Sequence, residues 1–128
     1  MTVLLDPQLI ERDAAVLPFA EVADWLQAQL GQQLTAYLAG LRDAKVVGRW
    51  RSGRVQPRAA AELRLRAAYH AVRLVADAYD ARTARAWLLG SNSRLDDEAP
   101  AWLIRQAETP GDLRFVVPAA RAFSAGAS

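Results

Sequence analysis

The sequence predicts an all-α fold, and three observations lead to this prediction. Apolar residues recur every three or four positions over most of the chain, which places them on one face of a helix. The clearest run of this kind is Phe19, Val22, Leu26 and Leu30. No segment alternates apolar and polar residues with the period of two that a half-buried strand requires. Since 52% of the 128 residues are hydrophobic, the chain can form one domain or two small domains that share a core.

An N-terminal arm and seven helices follow from the periodicity and from the positions of glycine and proline. Residues 1–15 mix a proline with charges and short aliphatic side chains, and we expect them to form a flexible arm. The predicted helices cover residues 17–30, 34–40, 44–51, 57–79, 81–89, 100–107 and 110–123. Gly31, Gly40 and Gly90 end three of them, because glycine commonly follows the last turn of a helix. Pro118 lies inside the last helix and should kink it, because proline removes a backbone hydrogen bond.

The predicted helix at residues 44–51 has one apolar side and one basic side. At ~100° per residue, Val47 and Trp50 share one side and Lys45 and Arg49 lie on the opposite side. Asp43 precedes the helix and can cap its first turn. A short capped helix with exposed lysine and arginine is what the major groove of DNA accepts.

The formal net charge of +2 conceals a strong asymmetry along the chain. Residues 42–73 contain nine basic residues and only two acidic ones, so this segment carries +7 and the remainder carries −5. A local excess of this kind predicts a basic face for phosphate, although arginines that merely solvate helix surfaces are the alternative interpretation. The residues that we expect to contact DNA are Arg42, Lys45, Arg49, Arg51, Arg54 and Arg58.

The composition excludes several kinds of catalytic site and favours a protein that is not an enzyme. The chain has no cysteine, so it has no thiolate nucleophile, disulfide or cysteine metal site, which fits a cytoplasmic location. Its one histidine, His70, lies within a predicted helix, and the acidic run at 96–98 does not converge on a helix face. No glycine-rich phosphate loop or metal-ligand spacing is visible, so we expect no cofactor and no metal. No apolar stretch approaches the ~18 residues of a membrane helix, and the N-terminus does not read as a secretory signal.

Residues 34–57 have the spacing of a helix-turn-helix. An apolar helix precedes a turn at Gly40, and Val47, Trp50 and Gly53 are then followed by Pro57. This pattern resembles the Xre group of lambda-repressor-like regulators, which commonly read Val-x-x-Trp-x-x-Gly with a nearby proline.

The Xre resemblance implies a role for each exposed position of the second helix in this pair. Residues that would face the groove are Ala44, Lys45, Gly48 and Arg49, and residues that would hold phosphate are Arg51, Arg54 and Arg58. Because Ala44 and Gly48 replace polar residues often found there, we expect weak sequence discrimination and a large contribution from phosphate contacts. The alternative to a DNA-binding role is that Val47 and Trp50 are core residues and the basic residues only keep the protein soluble.

A second motif lies in the C-terminal half, where Trp87 is followed by Asn92, Leu95 and Pro100. This spacing looks like the signature of the Xre/MbcA/ParS antitoxins, within their C-terminal toxin-binding domain, and the resemblance spans about residues 34–123. The four residues are also interpretable as a scaffold. Asn92 can bond its own backbone and set a turn, while Pro100 fixes the start of the next helix.

Besides the flexible arm expected at residues 1–15, the resemblance implies two regions: a helix-turn-helix DNA-binding region at 16–75 and a toxin-binding domain at 76–128. We expect exposed apolar side chains in the last region to serve a partner surface, and the candidates are Trp102, Ile104, Val116, Val117 and Phe123. The residues that we assign to toxin binding are Trp102, Arg114, Val117, Arg121 and Phe123.

The function that the resemblance implies is that of an antitoxin in a type II toxin–antitoxin pair. Its partner would be a RES-domain toxin that depletes NAD, and the antitoxin's C-terminal region would cover the toxin's active-site cleft. A homodimer would bind operator DNA and repress its own operon. The alternatives are a solitary transcriptional regulator without a toxin and an interaction protein that no longer binds DNA.

Overall fold

The structure, a computed structural model, describes residues 6–126 and confirms that this part of the chain is all-α, with no strand in it. The α-helices are α1 (Pro7–Val16), α2 (Phe19–Leu30), α3 (Gln32–Ala39), α4 (Lys45–Arg51), α5 (Ala59–Ala78), α6 (Ala81–Leu89), α7 (Pro100–Gln106) and α8 (Val116–Ser124). Two short 3-10 helices, Ser93–Leu95 and Pro110–Leu113, lie between the last three. No helix within the described range is long and apolar enough to span a membrane.

Helix α5 is the central element of the fold. Helices α1, α2, α3, α6, α7 and α8 all pack against it, while α4 packs against α2 and α3. Its buried residues occupy more than one face, because Ala71 and Leu74 are buried as well as Leu65, Tyr69 and Val72. A helix that is apolar on several faces is typical of the centre of a helical domain. The boundary predicted between residues 75 and 76 therefore falls inside one helix that contacts both halves of the chain.

The prediction of a flexible arm is wrong for residues 7–15, which belong to α1; residues 1–5 lie outside the described range. The Asp6 side chain accepts a hydrogen bond of 2.8 Å from the backbone N–H of Gln8, and Pro7 occupies the first helical position. Both features favour a helix start. Ile10 and Ala14, one turn apart, are buried where α1 packs on α5. Because the other large apolar residues of this segment, Leu9 and Val16, are exposed, its two buried positions were too weak a signal of helical periodicity.

The prediction of one kinked helix over residues 110–123 is also wrong. The capping sequence beginning at Thr109 leads into the 3-10 helix Pro110–Leu113, and the Asp112 carboxylate accepts a hydrogen bond of 3.0 Å from the Thr109 N–H. The α-helix begins later, so Pro118 is its third residue. Backbone N–H groups in the first turn have no partner inside a helix, so proline is tolerated at this position and no kink is required. The other six predicted helices agree with the observed bounds to within two residues at each end.

Candidate nucleic-acid interface

The consecutive helices α3 and α4 are joined by the short connection at residues 40–44. Gly40 ends α3 in the left-handed conformation, with φ of 84°, which favours glycine. The Gln32 side chain at the start of α3 donates a hydrogen bond of 2.7 Å to the Ala44 carbonyl. The Asp43 carboxylate accepts one of 2.9 Å from the Lys45 N–H, so Asp43 binds the first backbone N–H of α4 from the position before the N-cap residue, Ala44. These bonds fix the position of the α4 N-terminus relative to α3.

Helix α4 has the two sides that its sequence predicts. Val47 is 0% exposed and Trp50 is 3% exposed. The Trp50 ring meets the Phe19 ring of α2 edge to face, with centroids 5.3 Å apart. Lys45 and Arg49 are exposed on the other side. Aromatic packing of this kind anchors the helix and leaves its basic side free to contact a ligand.

Five of the six cations assigned to DNA contact are exposed and form no ion pair within residues 6–126. They are Arg42, Lys45, Arg49, Arg54 and Arg58. Arg51 differs from them, because its guanidinium lies 2.8 Å from the Asp24 carboxylate of α2. The surface around α4 therefore carries five cations that have no ion-pair partner among the described residues, and the charge of the sixth cation is balanced by its neighbour.

The three remaining basic residues of segment 42–73 have structural partners. Arg66 pairs with Glu62 at 2.8 Å, and Arg73 pairs with Asp77 at 3.2 Å. Arg64 is the most buried of the paired arginines and binds mainly backbone carbonyls. The local excess of +7 thus overstates the charge that a ligand would meet.

Three arginines bind carbonyl groups at the C-terminal ends of α2 and α3. Arg85 donates a hydrogen bond of 2.8 Å to Leu30 O. Arg105 donates one of 2.7 Å to Tyr37 O and stacks 4.6 Å from the Tyr37 ring centroid.

Arg64 is the third arginine that binds carbonyl groups at the end of a helix, and it joins two helix ends. Its Nη1 atom lies 3.0 Å from Ala39 O at the end of α3, and its Nε atom lies 2.9 Å from Ala107 O just after α7. The last carbonyls of a helix lack internal partners and carry a partial negative charge, so cations stabilise them. Sequence reasoning did not identify these contacts, because donor and acceptor are 25 to 68 residues apart.

The residues assigned to toxin binding do not form one site. Trp102 is exposed on α7, whereas Arg114 lies near the second 3-10 helix and stacks on the exposed Phe115 ring at 4.7 Å. Val117 is half-buried against the core. The expectation that Ile104 and Val116 are exposed is wrong, since both are buried core residues on the inner faces of α7 and α8.

The remaining two candidates, Arg121 and Phe123, point to different sides of α8, as two residues at ~100° per residue must. Arg121 lines a groove of about 400 Å³ with residues of α1 and α5, among them Ile10 and Leu74. Phe123 packs against the Tyr79 ring at 5.2 Å and lines a separate cavity of about 380 Å³. A partner that contacted both side chains would have to reach around the end of α8.

The motif residues of the C-terminal half occupy the positions expected of a scaffold. Trp87 and Leu95 are buried, and Pro100 is the buried first residue of α7. The Asn92 side chain accepts a hydrogen bond of 2.9 Å from the Arg94 N–H and so sets the turn between α6 and α7, as predicted. Trp87 and Asn92 also line the cavity that contains Phe123.

His70 is half-buried on α5, and its Nε2 atom has no hydrogen-bond partner among the described residues. Burial lowers the pKa of His70 from its ordinary value of 6.5, and the Arg121 guanidinium lowers it further. Glu11 of α1 acts in the opposite direction and is the weakest of the three influences. The net effect favours a neutral imidazole in the folded chain.

No family model, curated protein or solved structure matches this chain. The resemblance to the Xre/MbcA/ParS antitoxins therefore stays a prediction based on sequence motifs. The charges around α4 and the exposed apolar groups of the C-terminal half are the structural observations that bear on function.

Proposed function

We propose that this chain binds DNA through α3 and α4 and is the antitoxin of a type II toxin–antitoxin pair. The observation that carries the DNA-binding proposal is the set of five unpaired cations on α4 and its flanks. A polyanionic ligand would be attracted to this surface, because neutralising phosphates releases counterions. The buried Val47 and Trp50 support the proposal by holding α4 rigidly with its basic side outward.

The proposed contacts divide into two groups. Lys45 and Arg49 lie on the exposed face of α4 and would reach base edges when the helix enters a major groove. Arg42, Arg54 and Arg58 flank the helix and would hold phosphates. Arg51 contributes less than the resemblance implies, because Asp24 already neutralises it.

A mobility-shift experiment tests this assignment with matched charge changes. The double variant Lys45→Glu/Arg49→Glu should abolish the shift of a duplex taken from the region upstream of the chain's own gene. The control Arg82→Glu/Arg94→Glu removes the same charges from exposed positions on α6 and the following loop and should shift the duplex nearly as well as the wild type does. Equal loss of the mobility shift in both double variants would mean that the net charge of the protein, rather than the position of α4, determines DNA binding.

The proposed partner of the C-terminal half is a RES-domain toxin that depletes NAD. Large exposed apolar side chains support a protein partner here, because five of the eight found in residues 6–126 lie between Tyr79 and Phe123. These five are Tyr79, Leu89, Trp102, Phe115 and Phe123. Aromatic side chains are enriched in the binding centres of protein interfaces. Repression of the operon would then require a dimer, so that two copies of α4 reach successive major grooves.

Co-expression with the product of the adjacent gene tests the antitoxin proposal. We expect the neighbour alone to stop bacterial growth, and this chain to restore growth and to co-purify with the neighbour. A harmless neighbour, or one that does not bind, would leave the DNA-binding proposal intact and remove the antitoxin proposal.

A solitary transcriptional regulator is the second candidate function. It is favoured by one observation, namely that Arg121 and Phe123 lie on different sides of α8 rather than in one cleft-blocking surface. This candidate predicts operator binding by the chain alone and no growth rescue in the co-expression experiment.

A further inference from the structure

Gly48 occupies the middle of α4 although nothing within the described chain requires glycine there. It lies in regular helix, unlike Gly31, Gly40 and Gly53, whose φ angles are positive. A Cβ atom built on Gly48 would meet no atom within 4 Å apart from its chain neighbours and the backbone of its own helix. Glycine destabilises a helix interior relative to alanine, because its backbone loses more conformational freedom on folding. The fold by itself would therefore favour alanine at this position.

The surroundings of Gly48 indicate what approaches it. Lys45 and Arg49 lie beside it on the exposed side of α4, and neither forms an ion pair within residues 6–126. The bare backbone thus lies on the same exposed side of α4 as two unpaired cations. Duplex DNA matches this face in charge, and its major groove, about 12 Å wide, barely admits a helix of about 10–12 Å with its side chains. A helix without a side chain at one of its exposed positions can lie deeper in such a groove at that point.

We propose that Gly48 is a close-approach residue that lets the α4 backbone lie against the floor of the DNA major groove; this inference rests on the proposed DNA binding. Its missing side chain sets how deeply α4 enters, and that depth sets whether Lys45 and Arg49 reach the base edges together. A methyl group at position 48 holds the helix away from the bases and lengthens both contacts. Gly48 is thereby a positioning residue. Glycine makes the helix less stable than alanine would at this position, and this lower stability indicates that the residue serves binding.

The experiment compares stability and DNA affinity in the same variants. The probe is a duplex of about 30 base pairs, roughly three helical turns, enriched from a random library by the wild-type chain. Gly48→Ala should raise the denaturant midpoint of unfolding and weaken binding of the probe roughly tenfold, the loss expected for one good base contact. Gly48→Leu adds a longer side chain with high helix propensity and should weaken binding further. The control Ala86→Leu enlarges an exposed side chain on α6 and should leave affinity unchanged.

Opposite changes in stability and affinity would support the proposal, because a purely structural role for Gly48 would move both in the same direction. Wild-type affinity in a more stable Gly48→Ala variant would overturn it, as would a Gly48→Ala variant that is less stable than the wild type. If the wild-type chain enriches no duplex at all, the proposed DNA binding fails and this inference fails with it. Binding by the wild type with no effect at position 48 removes the inference alone.

Discussion

At the scale of single residues, the Asp24–Arg51 pair determines how much positive charge α4 presents. The two side chains are 59% and 39% exposed, so the pair contributes little to stability, about 0–1 kcal/mol for pairs of this kind. Its larger effect would be on the proposed DNA binding, since a phosphate would have to compete with the Asp24 carboxylate for Arg51. An acidic residue on one helix can thus weaken the affinity of a neighbouring basic helix for phosphate.

The variant Asp24→Asn should bind DNA a few-fold more tightly, because it frees Arg51 for phosphate contact. Fluorescence anisotropy with a labelled duplex measures this change. Glu21→Gln removes the same charge from an exposed, unpaired position on α2 and serves as the control. An affinity gain no larger than that of the control would show that Arg51 does not reach DNA.

Arg49→Ala should weaken DNA binding by about 1–3 kcal/mol and relax the preference for one base, if the side chain reads a base edge. Competition between the selected duplex and single-base variants of it measures both effects. Arg82→Ala, an exposed arginine on α6, is the control. Unchanged affinity for the selected duplex would remove α4 from the interface.

The lowered pKa of His70 predicts a dependence of stability on pH. Between its folded-state pKa and the ordinary value of 6.5, the unfolded chain binds a proton that the folded chain does not bind. The free energy of unfolding should therefore fall as the pH is lowered through 6.5. Urea denaturation from about pH 7.5 to pH 5 measures this fall, which His70→Gln should reduce because glutamine does not titrate. The same slope in both proteins would assign the dependence to other groups.

At the scale of helices, Arg64 connects the C-terminal ends of α3 and α7 through two carbonyl groups. Its side chain is only 12% exposed, and Glu108 pairs with its outer nitrogen at 3.2 Å. Arg64→Met should lower the free energy of unfolding by about 2–4 kcal/mol, because two carbonyls would lose a charged donor. Chemical denaturation measures the loss. Arg58→Met removes an exposed, unpaired arginine and should change stability by no more than about 0.5 kcal/mol.

Helices were predictable from the sequence where the deciding signals were local. The apolar period, the hydrogen bond between Asp43 and Lys45 and the glycine after α3 lie within a few residues of the helices that they define. Helix α1 escaped prediction because only Ile10 and Ala14 form its buried face, and its existence depends on packing against α5. The start of α8 was misplaced because the capping sequence at Thr109 is real but serves a 3-10 turn.

At the scale of the whole molecule, the distribution of charge predicts how salt affects DNA binding. If Arg42, Arg54 and Arg58 hold phosphates as proposed, the logarithm of the binding constant should fall with the logarithm of salt concentration with a slope of about −3 per protomer. Titrations at several salt concentrations measure the slope. A slope of about −1 would mean that most of these cations do not touch the backbone.

The candidate interfaces differ in how far sequence could define them. The basic face was predictable because Lys45 and Arg49 lie on one short helix, whose period fixes their direction. Which cations remain unpaired was not predictable, since Asp24 reaches Arg51 only through the packing of α2 on α4. The C-terminal surface was less predictable still, because the orientation of α8 against α1, α5 and α6 decides where Arg121 and Phe123 point.

The close contact between Gly40 and Arg64 has an evolutionary consequence. A Cβ atom at position 40 would lie 2.5 Å from Arg64 Nη1, and the φ angle of 84° already disfavours other residues. Descendants of this chain should therefore keep both residues or replace both, because a side chain at position 40 excludes the guanidinium from its place. Loss of the arginine alone would come first in such a lineage, since it leaves space, and only the positive φ angle would then favour glycine at position 40.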